Sequence, residues 1–193
     1  MRNEKMAGPG GDDRLMEEIA SGRRDALCGL VARHGGGLVR FLARMTGDAA
    51  AGEDLAQETF LRVLRHAGRY RPGGGFRAWL YAIARRLALT YLGRVLRKTN
   101  GWPAEIAVAA PDPLERIELQ AAIDRALEAI DEPFRSALLL VVVEELSYEE
   151  AARACDCPIK TLSSRVARGR ERFRELMAPY LVDGAAVKRE AKR

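Results

Sequence analysis

The chain has 193 residues, with 32 lysines and arginines against 27 aspartates and glutamates and a formal net charge of +5, and this length suits one ordinary domain or two small ones. Only 6% of the residues are aromatic, so the core must rest on Ala, Leu, Val and Ile, which favours helices and argues against an all-β fold. The longest apolar run, residues 137–143, is far shorter than the roughly 20 residues that cross a bilayer, and no secretory signal opens the chain, so we expect a cytoplasmic protein that is not itself a membrane protein.

Helical periodicity starts after residues 1–11, a head with several glycines that we expect to be disordered. The first helices are predicted to be short, with a break at Ser21-Gly22 and with an apolar side at Leu15, Ile19, Leu27, Leu30 and Val31. Glycines 35–37 each weaken a helix by up to about 1 kcal/mol relative to alanine. The apolar spacing nevertheless resumes and predicts a helix with its core side at Leu38, Phe41, Leu42 and Met45.

Asp48 can cap the next helix, which we predict to run to about Ala67. Its apolar side carries Leu55, Thr59, Phe60, Val63 and Leu64, and its opposite face carries Asp54, Gln57, Glu58 and Arg62. Residues 68–75 hold a proline and four glycines and are predicted to form a loop. A further helix begins near Phe76. Its predicted core stripe is Trp79, Ile83 and Leu87, flanked by Leu80 and Ala84, and a basic stripe of Arg77, Tyr81 and Arg85 lies on another side.

Residues 99–113 lack a sustained period and are predicted to be a flexible linker between two small helical domains. Beyond it, helical spacing runs from Leu119 to Ile130, and Pro133 can begin another helix. Ser147 and Glu150 form a capping box that starts a short helix. Residues 155–157 form its turn, and a last helix follows from Pro158. This order predicts a helix-turn-helix whose second helix has a polar side at Lys160, Ser163, Ser164, Arg165 and Arg168.

Charge is strongly segregated along the chain. Residues 62–98 hold ten basic side chains and no acid, residues 105–150 hold twelve acids and three arginines, and residues 160–174 hold six basic side chains and one acid. Two basic blocks around an acidic middle indicate two contacts with a polyanion. The alternative is that these charges lie on solvated helix faces. Solvated faces ordinarily mix acidic and basic side chains, which the block at residues 62–98 does not do.

Both halves resemble bacterial RNA polymerase sigma factors of the extracytoplasmic-function (ECF) group within the sigma-70 superfamily. Residues 53–62, Glu-Asp-Leu-Ala-Gln-Glu-Thr-Phe-Leu-Arg, and residues 76–84, Phe-Arg-Ala-Trp-Leu-Tyr-Ala-Ile-Ala, are similar to the family's region 2. Residues 146–152 and 161–168 are similar to its region 4 helix-turn-helix. The resemblance implies an all-α protein with region 2 at 12–98, a linker at 99–113, region 4 at 114–180 and a basic tail at 181–193.

The resemblance also implies partners and site residues. Core RNA polymerase would be bound through its β′ clamp helices and β flap, with the clamp contacted by Asp54, Gln57 and Glu58. The minus-10 promoter element would be read by Arg69, Tyr70, Arg71, Arg77, Tyr81, Arg85 and Arg86. The minus-35 element would be read by Lys160, Thr161, Ser163, Ser164, Arg165 and Arg168. An anti-sigma factor would regulate the protein, and no small-molecule substrate is implied. Ser163 replaces a usual basic residue, and Arg86 and Thr90 replace an Asn and often an Asp, so the promoter sequence is left open.

Two other classes of protein compete with this interpretation. A conventional helix-turn-helix repressor or activator would need a dimer face or ligand pocket, and it leaves the basic block at 62–98 without a role. An enzyme is not indicated, because the common catalytic motifs are missing from the sequence. Cys28, Cys155 and Cys157 provide neither a disulfide framework nor a zinc site, so no metal or cofactor is predicted.

Overall fold

The computed structural model describes residues 9–99 and 114–190, and all regular structure in these residues is helical. This confirms the all-α prediction. The N-terminal half contains α1 (Pro9–Ala20), α2 (Leu27–Thr46), α3 (Ala49–His66) and α4 (Phe76–Thr99). The C-terminal half contains α5 (Leu114–Glu128), α6 (Glu132–Leu138), α7 (Tyr148–Ala154) and α8 (Ile159–Glu190).

Local capping chemistry places several of these boundaries where the sequence predicts them. The Asp48 carboxylate accepts a hydrogen bond from the Ala51 N–H at 3.1 Å and starts α3. Ser147 and Glu150 make both bonds of a capping box at the start of α7. Asp156 adopts a left-handed φ of 51° in the turn after α7, a conformation that Asp tolerates better than most residues. The helix-turn-helix geometry thus follows from residues close together in the chain.

Other boundaries differ from the sequence-based expectation. Residues 9–11, assigned to the disordered head, already belong to α1, and Pro9 suits a first helical turn because its φ is fixed there. A 3-10 turn, Ala67–Arg69, precedes the predicted loop. A π-helical turn, Leu139–Val143, continues α6, and α8 extends past the expected domain end at residue 180. Residues 100–113 of the predicted linker lie outside the described residues.

One continuous apolar core joins the two halves. Leu38, Phe41 and Leu42 of α2 belong to the same buried cluster as Leu139 and Leu140 of the π-helical turn. The main contacts between the halves join α4 to α7 and α2 to α5. The two halves therefore do not lie apart in this structure.

The buried side of α4 differs from the predicted stripe. Leu87 of that stripe is buried, as are Leu80 and Ala84 on its flank and Phe76 at the start of the helix, but Trp79 and Ile83 are only half-buried. Tyr81, placed by the sequence on the basic side, is 2% exposed. The reason is that α4 packs against α2 and α3 on one side and against α7 on another, so its burial cannot follow a single stripe.

Candidate nucleic-acid and polymerase interfaces

The outer face of α3 presents polar side chains above a buried apolar side. Asp54 and Gln57 are exposed, while Ala56, Phe60 and Val63 are buried beneath them. Glu58 is half-buried and accepts a hydrogen bond from Arg62 Nε at 2.9 Å. That hydrogen bond lowers the pKa of Glu58, with the charges of Arg62 and Arg65 acting in the same direction. The Asp54 carboxylate and the Gln57 amide are thus available to a partner, whereas the Glu58 carboxylate is already paired with Arg62.

The loop between α3 and α4 is held by an acid that the sequence analysis did not single out. The Tyr70 hydroxyl donates to Asp13 Oδ1, and the Gly73 N–H donates to Asp13 Oδ2 at 3.0 Å. Burial raises the pKa of Tyr70, and the bond to Asp13 raises it further. The Tyr70 ring also packs 5.3 Å from the Trp79 ring, centroid to centroid. Asp13 is distant in sequence from this loop, and no local pattern relates the two.

The neighbouring acid, Asp12, fixes α1 to α2. Its carboxylate accepts a hydrogen bond from Arg33 Nη1 at 2.7 Å and lies 2.9 Å from His34 Nε2. Burial raises the pKa of Asp12, but the bonds to His34 and Arg33 outweigh this and leave the pKa lowered. The two successive acids of α1 therefore connect it to α2 and to the α3–α4 loop.

The basic stripe of α4 faces the C-terminal half of the chain. Arg77 Nη2 donates to the backbone carbonyl of Glu144, and the Tyr81 hydroxyl donates to Glu144 Oε2. Arg85 Nη2 donates to Glu132 Oε1 at 3.0 Å and forms an ion pair with it, while its Nε donates to Ser136 Oγ at 3.2 Å. Burial, together with the bond to Glu144, raises the pKa of Tyr81. These three side chains are therefore bonded within the protein.

The residues expected at the minus-10 element fall into two groups. Arg69, Arg71 and Arg86 are exposed. The other four are half-buried or buried and are bonded elsewhere in the protein: Tyr70, Arg77, Tyr81 and Arg85. The sequence could align the stripe on one side of a helix, but it could not show which other helix covers that side.

The first turns of α8 carry the residues expected at the minus-35 element. Lys160, Ser163, Ser164 and Arg168 are exposed, and Thr161 and Arg165 are half-buried. Leu162 and Val166 are buried on the other side of the helix. The Arg168 guanidinium lies 5.9 Å from the centre of the Phe134 ring, which suits a cation–π contact. The predicted polar side of this helix is thus open to a ligand.

Cys155 packs in the core of the helix-turn-helix and is 4% exposed. Burial raises the pKa of its thiol, which lowers its reactivity, since the thiolate is the nucleophile. Across residues 9–99 and 114–190, no helix is long and apolar enough to cross a membrane.

Comparison with known proteins connects these faces to one family. Residues 30–98 match the family model described as sigma-70 region 2, and residues 120–173 match the one described as sigma-70, region 4. The RNA polymerase sigma factor CarQ of Myxococcus xanthus is 37% identical over 167 residues, covering 84% of this chain and 95% of CarQ. The ECF RNA polymerase sigma factor EcfG of Rhodopseudomonas palustris is 33% identical over 148 residues, covering 75% of this chain and 80% of EcfG.

A solved structure shows the same fold. The sigma factor RpoE, in a co-crystal structure with the anti-sigma factor NepR from Bartonella quintana, has a TM-score of 0.68 and 27% sequence identity to this chain. The similarity covers 78% of this chain and 95% of that one. The fold and the two matched regions define a sigma factor of the sigma-70 superfamily. Within that superfamily, the chain belongs to the extracytoplasmic-function (ECF) RNA polymerase sigma factors, a family of transcription initiation factors that are not enzymes.

Proposed function

We propose that this sigma factor binds core RNA polymerase through the exposed face of α3 and directs it to promoters through α4 and α8. The observation that carries the proposal is the matched order of regions 2 and 4. The region 2 match contains α3 and α4, and the region 4 match contains the first turns of α8. We assign region 2 to residues 12–98 and region 4 to residues 114–180. Since the polymerase and the chromosome lie in the cytoplasm, the protein acts there.

The α3 face suits the β′ clamp helices of the polymerase. Asp54 and Gln57 point to solvent, and the carboxylate of Glu58 lies beside them. Acidic and amide side chains at the surface can accept hydrogen bonds from arginines of a partner helix. The β flap is the second contact that we propose for the polymerase, on region 4.

The two sets of proposed DNA-binding residues suit different forms of DNA, separated strands at α4 and a duplex at α8. The loop and stripe around α4 combine arginines with tyrosines, a composition that suits separated strands, since arginine neutralises phosphates and a tyrosine ring stacks on an unpaired base. Arg69, Arg71 and Arg86 are exposed for such contacts. Tyr70, Arg77, Tyr81 and Arg85 would have to leave their present partners to make them. The first turns of α8 suit the major groove of the minus-35 duplex, because a recognition helix contacts base edges through its N-terminal residues. We therefore assign both sets of residues, as predicted from the sequence, to promoter DNA.

An anti-sigma factor is the regulatory partner that we propose. The similar sigma factor RpoE was solved together with the anti-sigma factor NepR, and the present chain shares its fold across most of its length. The anti-sigma factor would bind the chain and keep it from the polymerase.

Transcription with purified components tests the proposal. We expect core RNA polymerase to start transcripts at defined genomic sites only when this chain is added. A conventional repressor would bind DNA without starting transcripts and without binding the polymerase. If purified core polymerase neither binds the chain nor starts transcripts in its presence, the proposal is wrong.

Arg165→Ala is expected to relax recognition at one base position of the minus-35 element. Arg165 lies in the second turn of α8 and is half-buried, whereas the Arg168 guanidinium lies over Phe134. A base-reading arginine contributes roughly 1 to 3 kcal/mol at its position. The measurement is binding across a set of minus-35 variants, with Arg172→Ala as the control, since Arg172 lies farther along α8 and pairs with Glu175. Uniform weakening on all sequences would instead assign Arg165 to a phosphate.

A further inference from the structure

The loop between α3 and α4, residues 70–75, is bonded to an acidic side chain of α1. We propose that Asp13 is a positioning residue for DNA binding. Its carboxylate holds this loop in the shape in which the exposed Arg69 and Arg71 meet the separated strand of the minus-10 element. This proposal rests on the proposed function, because it explains how part of the region 2 surface assigned to DNA keeps its shape.

The backbone of the loop has a shape that its own sequence restrains only in part. The Gly74 N–H donates to the Arg71 carbonyl at 3.3 Å, across Pro72 and Gly73, and Gly73 has a positive φ of 79°. Proline followed by a glycine of positive φ is typical of a type II turn. Gly74 and Gly75 continue the run, and glycine loses more conformational freedom on ordering than any other residue. Without a further restraint, we expect the loop to sample several shapes.

Asp13 supplies that restraint with both oxygens of one carboxylate. Oδ1 accepts from the Tyr70 hydroxyl before the turn, and Oδ2 accepts from the Gly73 N–H inside the turn at 3.0 Å. The backbone hydrogen bond of the turn uses the next N–H, that of Gly74, so the carboxylate takes a donor that the turn itself does not use. Hydrogen bonds to an ionised acceptor are stronger than those between neutral groups. One side chain thus connects the start of the loop to its turn.

Asp13 is itself held in place by the helix that carries it. Leu15, Met16 and Ile19 of α1 are buried in the apolar core, and Asp12 bonds the same helix to α2. The carboxylate is therefore presented to the loop from a fixed position.

The contacts of Asp13 lie wholly within the N-terminal half. Arg153 of α7 also bonds to the loop, at the Gly74 carbonyl, but it belongs to the C-terminal half. The restraint from Asp13 does not depend on where the C-terminal half lies, so it can persist when the protein is bound to the polymerase and to DNA.

The charge of Asp13 allows a test by the direction of the effect. An acid within a DNA-binding surface repels phosphates, so removing a mere surface charge would tighten DNA binding. Removing a positioning residue weakens DNA binding instead, because the loop must then be ordered when the strand binds, and this ordering lowers the affinity. The two roles therefore predict opposite results.

Binding to fork-shaped DNA tests the proposal with the holoenzyme assembled from core polymerase and the full-length chain. One labelled probe carries a double-stranded minus-35 element and a single-stranded minus-10 element from a start site mapped in the transcription experiment. A second probe lacks the single strand. We expect Asp13→Ala to bind the first probe about tenfold more weakly than the wild type, from the cost of ordering the loop, and to bind the second probe equally well.

Glu17→Ala is the matched control, since Glu17 is an exposed acid one turn further along α1. It removes the same charge and should bind the first probe as tightly as the wild type or slightly more tightly. Thermal unfolding followed by circular dichroism confirms that each variant is folded.

Two milder changes separate positioning from general damage to the fold. Asp13→Asn keeps one oxygen for the Tyr70 hydroxyl but offers an amide NH2, a donor, where the Gly73 N–H needs an acceptor. Tyr70→Phe keeps the ring and loses only the hydroxyl. Each should lose part of the affinity for the first probe. Once Asp13 is alanine, Tyr70→Phe should add little, because both changes remove the same hydrogen bond.

Amide hydrogen exchange measures the loop in the chain alone, without DNA or polymerase. We expect exchange at Gly73 to be about fivefold or more faster in Asp13→Ala than in the wild type, because the lost hydrogen bond allows local opening, and to be unchanged in Glu17→Ala. Unchanged exchange in Asp13→Ala overturns the proposal. So does a folded Asp13→Ala variant that binds the first probe as tightly as the wild type, or that loses equal affinity for both probes. A wild type that starts no transcripts contradicts the proposed function separately, and the exchange rates then still decide whether Asp13 holds the loop.

Discussion

Replacing Asp54 and Gln57 together by alanine is expected to lower the affinity for core RNA polymerase by about tenfold or more. A factor of ten corresponds to about 1.4 kcal/mol of binding free energy, and truncating two residues at the centre of an interface commonly costs more than that. Both side chains are exposed, so their loss removes contacts with a partner while the α3 core stays intact. Binding is measured by titrating labelled protein with purified core polymerase.

Glu53→Ala is the matched control for this double variant. Glu53 is an exposed acid one residue before Asp54, and losing it changes the charge of α3 without touching the proposed contact pair. Thermal unfolding should be similar for the control, the double variant and the wild type. Equal polymerase affinity for the double variant and the wild type would show that α3 is not the polymerase contact.

Gly52→Ala is expected to destabilise the protein by about 1 to 3 kcal/mol or more, the usual cost of forcing extra atoms into a packed core. An added Cβ at Gly52 would lie 2.7 Å from the backbone nitrogen of Ala43 and 2.9 Å from its Cα. Backbone atoms of α2 cannot turn aside as the end of a side chain can, so α3 would have to move away from α2. Chemical denaturation monitored by circular dichroism measures the change in free energy of unfolding.

Gly93→Ala should have the opposite sign. Gly93 lies inside α4, and no described atom comes within 4 Å of an added Cβ there. Alanine is favoured over glycine in a helix by up to about 1 kcal/mol, so this variant should be somewhat more stable than the wild type. If both glycine variants shift stability in the same direction, close approach of α2 and α3 is not what requires a glycine at position 52.

The helix boundaries show which parts of the fold are predictable from local sequence. The Asp48 cap and the Ser147–Glu150 capping box each involve residues within three positions of one another, and both were predicted. The π-helical turn Leu139–Val143 was not. It lies in an apolar run whose periodicity does not distinguish one helical hydrogen-bond pattern from another.

The candidate sites also divide into residues that local sequence predicts and residues that it does not. The exposed side of α8 was predicted because a single amphipathic period separates Leu162 and Val166 from the polar residues. Asp13 and Glu144 were missed, although both bind residues that the sequence assigned to DNA. Glu144 directly follows the longest apolar run of the chain. That position indicates a place near the core, but an acidic side chain there is ordinarily expected to face solvent.

The sequence alone determined the all-α class, the order of two sigma regions, the helix-turn-helix and its caps, because each depends on residue types and on spacings within a few turns of helix. Only the tertiary structure decided that Tyr81 is buried and that Arg77 and Arg85 are bonded to the C-terminal half. Those contacts join residues about fifty or more positions apart in the chain, and no local pattern specifies which surfaces meet across such a separation.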